Sequence, residues 1–536
     1  MQFKFSKFAT ALLASGIISL PITASANDSS ELEELRGLVQ ELSQQVKVLA
    51  RKGEINEETA TAAKKSTPVV KAGTSGFSFG SADGKNEIKF RGVVQADHRH
   101  FSEGASDVRA RSRNRAGLLN AEGFHDAEDT SFLRRVRPTI EGTVAGKYGF
   151  RFTPDFAGGS ATVVDAYAEA RLNPAFNIRA GKFKSFVGLE RLQSGNDIKF
   201  IERSYVTNAI LPNRDLGVAL YGAVLDKKLD YAVGVVNGVA DGGNISTGTE
   251  YNGEREYTAR LFATPFKDSD SALAGLGFGI GGTWTDFTGE QNLNFTDTSS
   301  ADATRNGLPS YKTNGQQTFF RYGGNAIADG SRIRWSPQAN YYNGPFGLIT
   351  EYARINQEVS LTAKNEGDGS ATINNSNLTP LGTVANSKKK LSHDAWQVAG
   401  SWVLTGEDAS FKGVKPKQDF DFDKGGWGAW ELVARYSEIN LDSDTFKNNV
   451  GNYAGENVGS TSGAYSDGTK SAKSAKSWTA GVNWYLNSNA KIALNYEHTT
   501  FDGGASSNGA NANATGSNIK DRPDEKALLA RFQVAF

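Results

Sequence analysis

Glu87-Ile-Lys-Phe-Arg-Gly-Val-Val-Gln-Ala-Asp97 is the stretch whose reading decides the fold. Ile88, Phe90, Gly92, Val94 and Ala96 are apolar or small, while Lys89, Arg91, Gln95 and Asp97 lie between them. Successive side chains of an extended chain point to opposite faces, so this two-residue rhythm makes a strand with one oily and one wet face. The rhythm returns along the chain. Val164, Ala166, Ala168, Ala170 and Leu172 alternate with Asp165, Tyr167, Glu169 and Arg171. Trp430, Leu432, Ala434 and Tyr436 alternate with Glu431, Arg435 and Ser437, and Trp478, Ala480, Val482 and Trp484 with Thr479, Gly481 and Asn483. Ile492, Leu494 and Tyr496 do the same with Lys491, Asn495 and Glu497.

A soluble sandwich would show this alternation too, its oily face being a core. Two features favour a membrane barrel. Short connections at residues 145–147, 173–175, 225–228 and 343–345 interleave with long polar ones near 100–130, 183–215, 237–254, 287–330, 359–394, 439–477 and 499–525. Short inner turns and long outer loops are how transmembrane barrels are built. Residues 405–426 break the rule, being long where a short turn is expected. The chain also ends in a strand: Leu528, Ala530, Phe532, Val534 and Phe536 share a face opposite Arg531 and Gln533. A last strand closing on an aromatic resembles the assembly signal of outer-membrane barrels. Counting strands between the connections predicts an all-β, 16-stranded antiparallel transmembrane β-barrel with an N-terminal helical (coiled-coil) segment. A barrel of that size encloses an aqueous lumen.

Working back to the N-terminus, Lys4 and Lys7 precede a mostly apolar stretch, and Ala24-Ser25-Ala26 offers small residues for cleavage. Residues 1–26 therefore read as a signal peptide; Ser15, Gly16, Ser19 and Pro21 speak against a retained spanning helix. In residues 27–52, Leu32, Leu35, Val39, Leu42, Val46 and Leu49 form a heptad seam, the mark of a periplasmic coiled-coil helix. A single amphipathic helix packed on the barrel rim is the other reading. Residues 53–80 read as a polar linker and 81–536 as the barrel.

There is no cysteine, which excludes thiolate metal sites and cysteine nucleophiles, and 59 glycines with 13 prolines suit many strands and turns. Charges balance at 59 basic and 59 acidic residues. The total predicts no polyanionic partner and no nucleic acid, so any anion preference must come from where the charges sit. No Ser-His-Asp spacing, zinc motif, phosphate loop or dinucleotide glycine pattern is present, so neither a cofactor nor an enzyme is expected. Asp97-His98-Arg99-His100 lacks a third metal ligand and reads as a strand-end pair.

If the apolar sets face lipid, the others face the pore. Phe132, Val136, Ile140 and Val144 are then outward and Arg135, Arg137, Thr139 and Glu141 inward, with Arg134 sharing the outward parity near the upper end. Arg91, Arg151, Arg179 and Arg260 have inward parity, as does Lys89. A guanidinium offers a planar fork of donors to an oxyanion and stays charged at any relevant pH. Acids such as Asp155, Asp165, Glu141 and Glu169 keep open the reading that these are simply solvated charges of a general porin. The long loop at 183–215, counted from Lys182 through Arg214, carries Lys182, Lys184, Arg191, Lys199, Arg203 and Arg214 against Glu190, Asp197 and Glu202. It also holds Phe183, Phe186, Val187, Leu189, Leu192, Ile198, Phe200 and Ile201, too apolar for a loop in water. It is expected to fold into the barrel and narrow it; a subunit contact is the rival. Arg109, Arg111, Arg113 and Arg115 line one side of an extended segment, suited to gathering anions or to lipopolysaccharide phosphates.

Several motifs together resemble the phosphate-selective porin O and P family. They are Phe132-Leu-Arg-Arg-Val-Arg-Pro138, Phe150-Arg-Phe-Thr-Pro-Asp-Phe-Ala-Gly-Gly159 and Gly181-Lys-Phe-Lys-Ser-Phe-Val-Gly-Leu-Glu-Arg-Leu-Gln-Ser194. Pro212-Asn-Arg-Asp-Leu-Gly217, Gly315-Gln-Gln-Thr-Phe-Phe320, Leu404-Thr-Gly-Glu-Asp408 and Gly426-Trp-Gly-Ala-Trp-Glu-Leu-Val-Ala-Arg-Tyr436 extend the similarity over about residues 80–536. The resemblance implies a homotrimer in outer-membrane lipid, each barrel with its own pore. It also implies an arginine ladder leading phosphate or polyphosphate to a lysine-rich constriction, on which Arg135, Arg137, Lys182, Lys184, Arg191, Arg203 and Arg214 are the matching positions. Three functions stand at this stage: a passive anion channel, a general weakly selective porin, and an adhesin or barrel enzyme working through its outer loops.

Overall fold

The computed structural model describes residues 28–74, 76–102, 106–107, 125–245, 253–289, 306–324, 326–361, 387–447, 464–506 and 519–536. The expected signal peptide at residues 1–26 and the Arg109–Arg115 cluster lie outside them. The chain divides into two units, residues 1–67 and 68–536.

Among its described residues the first unit is one helix, α1, Asp28–Ser66. It runs well past residue 52, so the expected linker is helical in its first half. Glu, Ala and Lys dominate residues 54–65; these residues have high intrinsic helix propensity even where no apolar seam continues. The second half of the expected linker is a hairpin. Strands Val69–Gly73 and Gly76–Gly80 pair with each other, and the latter pairs with the start of the first barrel strand.

The second unit is a closed antiparallel barrel. Its strands are β1 (Glu87–Phe101), β2 (Thr130–Val144), β3 (Tyr148–Asp155), β4 (Thr162–Asn173), β5 (Phe176–Lys184) and β6 (Arg214–Val224). Then come β7 (Leu229–Val236), β8 (Glu256–Ala263), β9 (Leu276–Thr288), β10 (Ala326–Asn343) and β11 (Phe346–Leu361). The last five are β12 (Lys389–Val403), β13 (Ala429–Asn440), β14 (Ala472–Tyr485), β15 (Ala490–Ser506) and β16 (Glu525–Ala535). Each pairs with its neighbour in sequence, and β16 pairs with β1 from Ala527↔Phe101 to Ala535↔Val93. Closure matters because an unpaired backbone group in hydrocarbon costs several kcal/mol.

The seam is finished by the last residue. Phe536 N–H donates to Gly92 O at 3.0 Å and Gly92 N–H to Phe536 O at 2.9 Å. A Cβ on Gly92 would stand 2.5 Å from the Phe536 ring, so glycine is what lets the terminal aromatic lie there.

The alternation holds in space. Ile88, Phe90, Val94 and Leu494 are exposed on the outer wall, and Gln95, Asp97, Arg99, Asn495 and Glu497 are buried inside. One strand departs from its predicted parity. Gln95 pairs with Arg135 but Ala96 pairs with Leu133, a bulge that leaves Arg134 unopposed. A bulge flips the parity beyond it. Leu133 therefore faces out, Phe132 turns in beneath the Arg99 guanidinium, and Arg134 joins Arg135 on the inner wall. The sequence reading had placed Phe132 and Arg134 outward.

Candidate anion constriction

Residues 185–213, the third loop, run inside the barrel as predicted. Val187, Ile201, Tyr205, Val206, Ile210 and Leu211 are buried. Around them close Ala353, Ile355 and Val359 of β11, Leu391 and Ala395 of β12, Ile439 of β13 and Phe501 of β15. A second inward element was missed. Leu308, Tyr311, Phe319 and Phe320, between β9 and β10, share that cluster, and strands Ser310–Lys312 and Thr318–Arg321 form a hairpin there. Tyr311 Oη donates to Asp241 at 2.9 Å, and Arg99 donates to Gly315 O at 3.0 Å. The signal was present, since four aromatics within residues 311–322 are as out of place in water as those of the third loop. The long turn at 405–426 also points inward. Ala409 and Val414 are buried against Val403, Ala429 and Tyr485, and Gln193 Nε2 donates to Phe411 O at 2.7 Å.

The wall from β10 to β16, with the upper parts of β1 and β2, grips the third loop. Glu351 accepts from Leu189 N at 2.6 Å and Glu190 N at 3.1 Å, and Gln338 Nε2 donates to Val187 O at 2.9 Å. Lys199 pairs with Glu431, Asn483 donates to Lys199 O at 2.9 Å, and Lys491 donates to Ile198 O at 2.9 Å. Glu202 is held by Arg99 at 2.9 Å and Arg134 at 2.7 Å, while Arg435 donates to its backbone carbonyl at 2.9 Å. Burial alone would push the Glu202 carboxyl up; Arg134, Arg99 and Arg531 outweigh it and hold the group well below the usual carboxylate range.

On the facing wall, β1 to β6, most arginines pair with carboxylates of the wall itself. Glu141 lies between Arg91 (3.1 Å) and Arg151 (3.4 Å), and Glu169 between Arg171 (2.5 Å) and Arg179 (2.7 Å). Arg137 meets Asp155 at 2.7 Å and Arg214 meets Asp165 at 2.9 Å. Two of these four carboxylates are thus outnumbered by their arginines. Arg179 also sits against the Tyr167, Tyr221 and Phe186 rings, 4.3, 5.0 and 5.3 Å from their centroids, which fixes its fork.

Where the two walls approach, four of the predicted cations have no carboxylate partner among the described residues. Lys184 Nζ and Arg203 Nη2 both donate to the one backbone carbonyl of Gln193, each at 2.8 Å. Arg191 donates to Thr207 O, and Arg135 donates to the Gln95 side-chain oxygen. Nε of Arg135 and of Arg191 is buried with no acceptor. Arg203 lies within electrostatic reach of Arg214 and Arg137, and Arg191 within reach of Arg203 and Arg214. Burial lowers the Arg203 pKa, Glu190 and Glu202 oppose that, and Arg214 and Arg137 add to it. A neutral carbonyl orients a cation without cancelling its charge, so this corner holds excess positive charge in a site of restricted water.

Lys182 is not part of this corner. Its backbone pairs with Ala166 and Leu216, and its Nζ donates to Ile245 O at 2.6 Å, whereas Lys184 reaches Gln193 O. His98 and His100 bond to Ser131 (2.8 Å) and Asp129 (2.6 Å), and no group of three or more metal-ligating side chains exists among the described residues.

A family model described as phosphate-selective porin O and P matches residues 108–536. Porin O of Pseudomonas aeruginosa is 22% identical over 462 residues, covering 81% of this chain and 87% of that protein. Among solved structures, the outer membrane channel DcaP of Acinetobacter baumannii covers 84% of this chain and 97% of its own at 12% identity and TM-score 0.47. An anion-selective porin from Comamonas acidovorans covers 84% and 100% at 10% identity and TM-score 0.43. The trimer form of OmpT from Vibrio cholerae covers 84% and 99% at 11% identity and TM-score 0.44.

Proposed function

The chain belongs to the phosphate-selective porin O and P family, channels of the outer membrane and not enzymes, and on that premise we propose that it passes small anions, phosphate or polyphosphate among them, through the corner lined by Arg135, Lys184, Arg191 and Arg203. One observation carries the reading: Lys184 and Arg203 converge on the neutral Gln193 carbonyl instead of on an acid. Arg91, Arg151, Arg179, Arg137 and Arg214 form the approach, each tempered by a carboxylate so that an anion is passed along and not trapped. Conduction needs binding weak enough to release, and such a graded ladder supplies it. Lys199, paired with Glu431, serves the loop and not the ion.

The paired acids favour the competing reading, a general porin of weak selectivity. Reversal potentials in a KCl gradient across a planar bilayer separate the two. The anion channel reverses near the chloride equilibrium potential and the general porin near zero. Phosphate block of chloride current tests the corner itself. A hydrogen bond to a charged group contributes about 1.5–3 kcal/mol, so Lys184→Ala combined with Arg203→Ala should weaken the block by about tenfold or more. An unchanged block removes this corner from the selectivity path.

The assembly proposed with it is a homotrimer in outer-membrane lipid and lipopolysaccharide. In its favour are the heptad positions Leu35, Val39, Leu42, Val46 and Leu49, each about 60% exposed on α1 and in want of partner helices.

A further inference from the structure

The connection between β12 and β13, residues 404–428, straddles the barrel wall. Its first half lies inside, with Ala409 and Val414 buried and Phe411 O taking the Gln193 side chain at 2.7 Å. Its second half leaves the lumen. Phe420 packs edge-on against Trp484 with ring centroids 4.9 Å apart, and Trp484 stacks on Trp430, also at 4.9 Å. Tyr485, the next residue of β14, is buried on the inner face, so Trp484 points outward. Residues 420–427 therefore lie on the outside of the wall, at its short-turn end.

That outer half is held in place by its own bonds. Phe420 N–H donates to Leu486 O at 2.7 Å, and Trp484 Nε1 donates to Trp427 O at 2.9 Å. Asp421 and Gly426 exchange two backbone bonds, each 3.0 Å. The Asp421 carboxylate accepts from Asp423 N at 2.9 Å and Lys424 N at 3.2 Å, which shapes the tip. A tip so ordered nevertheless leaves Phe422 85% and Trp427 65% exposed. The sequence there is Asp419-Phe-Asp-Phe-Asp423, the two-residue rhythm of the barrel itself, and the Phe420 and Phe422 rings lie 4.6 Å apart. Nothing is gained by ordering a turn so that its largest rings stand in water. An aromatic face at the end of a barrel wall suits the lipid–water boundary. It is continuous with the outward surface, where Trp402 pairs with Leu432, Trp430 with Trp484, and Trp484 with Ile492.

We propose that residues 420–427 seat in the phospholipid leaflet at the short-turn end, with their rings against the acyl chains and their aspartates toward water. The seat in turn holds the inner half of the same turn on the third loop. Lys417 lies between the halves and ties them to the start of the turn: its N–H donates to Glu407 at 3.1 Å and its Nζ to Gly406 O at 2.6 Å. The residue gripped at the inner end is Gln193, whose carbonyl receives Lys184 and Arg203. The turn is then a strut from the membrane to the loop that narrows the lumen, whichever ion passes there.

The native chain has no cysteine, so one introduced thiol carries one nitroxide. Phe422→Cys and Asp423→Cys are spin-labelled separately in the full chain, in phospholipid nanodiscs. Power saturation then compares access by oxygen, which partitions into acyl chains, with access by a nickel chelate, which stays in water. The expected result is oxygen access dominating at 422 and nickel access dominating at 423, a reversal over one residue. Nickel access at both positions overturns the seat. Protection of 422 from both reagents overturns it too, because a protein and not lipid then covers the rings. The strut has its own readout. Phe422→Asp combined with Trp427→Asp changes only exposed rings, so the barrel still forms, and single-channel current noise should rise severalfold. A channel as quiet as the wild type leaves the seat standing and overturns the strut.

Discussion

Glu202 shows how one carboxylate can position a pore. It is buried, takes Arg99 and Arg134 on its oxygens, and its own carbonyl receives Arg435, so three strands converge on one residue of the third loop. Removing one partner of a buried pair strands the others, a loss of about 3–5 kcal/mol. Glu202→Gln should therefore undock the loop, read as larger and noisier single-channel conductance. The sign of the pH effect follows from the depressed pKa. Stability from the carboxylate is fully present above the ordinary glutamate value of about 4.3 and fades only as pH falls through the lower folded value. The conductance difference between wild type and Glu202→Gln should hold steady from pH 7 to pH 4.5, and a step in that difference would contradict the assignment. At this scale the candidate site was partly legible. Parity alone put Arg135, Arg137, Arg151 and Arg179 inside. It could not see the bulge that brings Arg134 in, because a one-residue insertion leaves no mark in a pattern of period two. Nor could it tell Lys182 from Lys184, two residues apart in one segment, whose contacts are made by different loops.

At the scale of elements, composition spoke more clearly than length. The third loop announced itself by apolar content, and it folds inward. The segment between β9 and β10 meets the same test, with Tyr311, Phe319, Phe320 and Tyr322, although by length it counts among the long polar connections expected outside. Its hairpin packs on Tyr205 and Phe501 and approaches the third loop from the long-loop side. It narrows the lumen without supplying cations to the Lys184–Arg203 corner. Replacing residues 310–321 by a short glycine–serine link should raise conductance severalfold while leaving the KCl reversal potential unchanged. A shift of that potential toward zero would mean that the hairpin itself selects. The helix α1 failed the opposite way: its apolar seam ends at Leu49, but propensity carries the backbone on to Ser66.

Over the whole molecule the charges sum to zero, and the selectivity proposed above rests on their segregation. Glu351 and Glu431 on β11 and β13 are consumed in holding the third loop, where backbone N–H groups and Lys199 satisfy them. On β1 to β5 the part-exposed Arg91, Arg151, Arg171 and Arg179 share two carboxylates, Glu141 and Glu169. On the proposed path an anion would meet arginines that outnumber the carboxylates they share. This division gives a salt dependence that distinguishes two kinds of selectivity. The Debye length is about 10 Å at 0.1 M and about 3 Å at 1 M. Ladder charges act across open water and should be screened over that range, whereas Arg135, Lys184, Arg191 and Arg203 act at contact and should not. The anion-to-cation permeability ratio should therefore fall between 0.1 M and 1 M KCl but level off well above one. In the Lys184→Ala, Arg203→Ala protein the same titration should run down close to one. If the wild type also decays to one, selectivity resides in the open field of the wall and the buried corner contributes nothing to it.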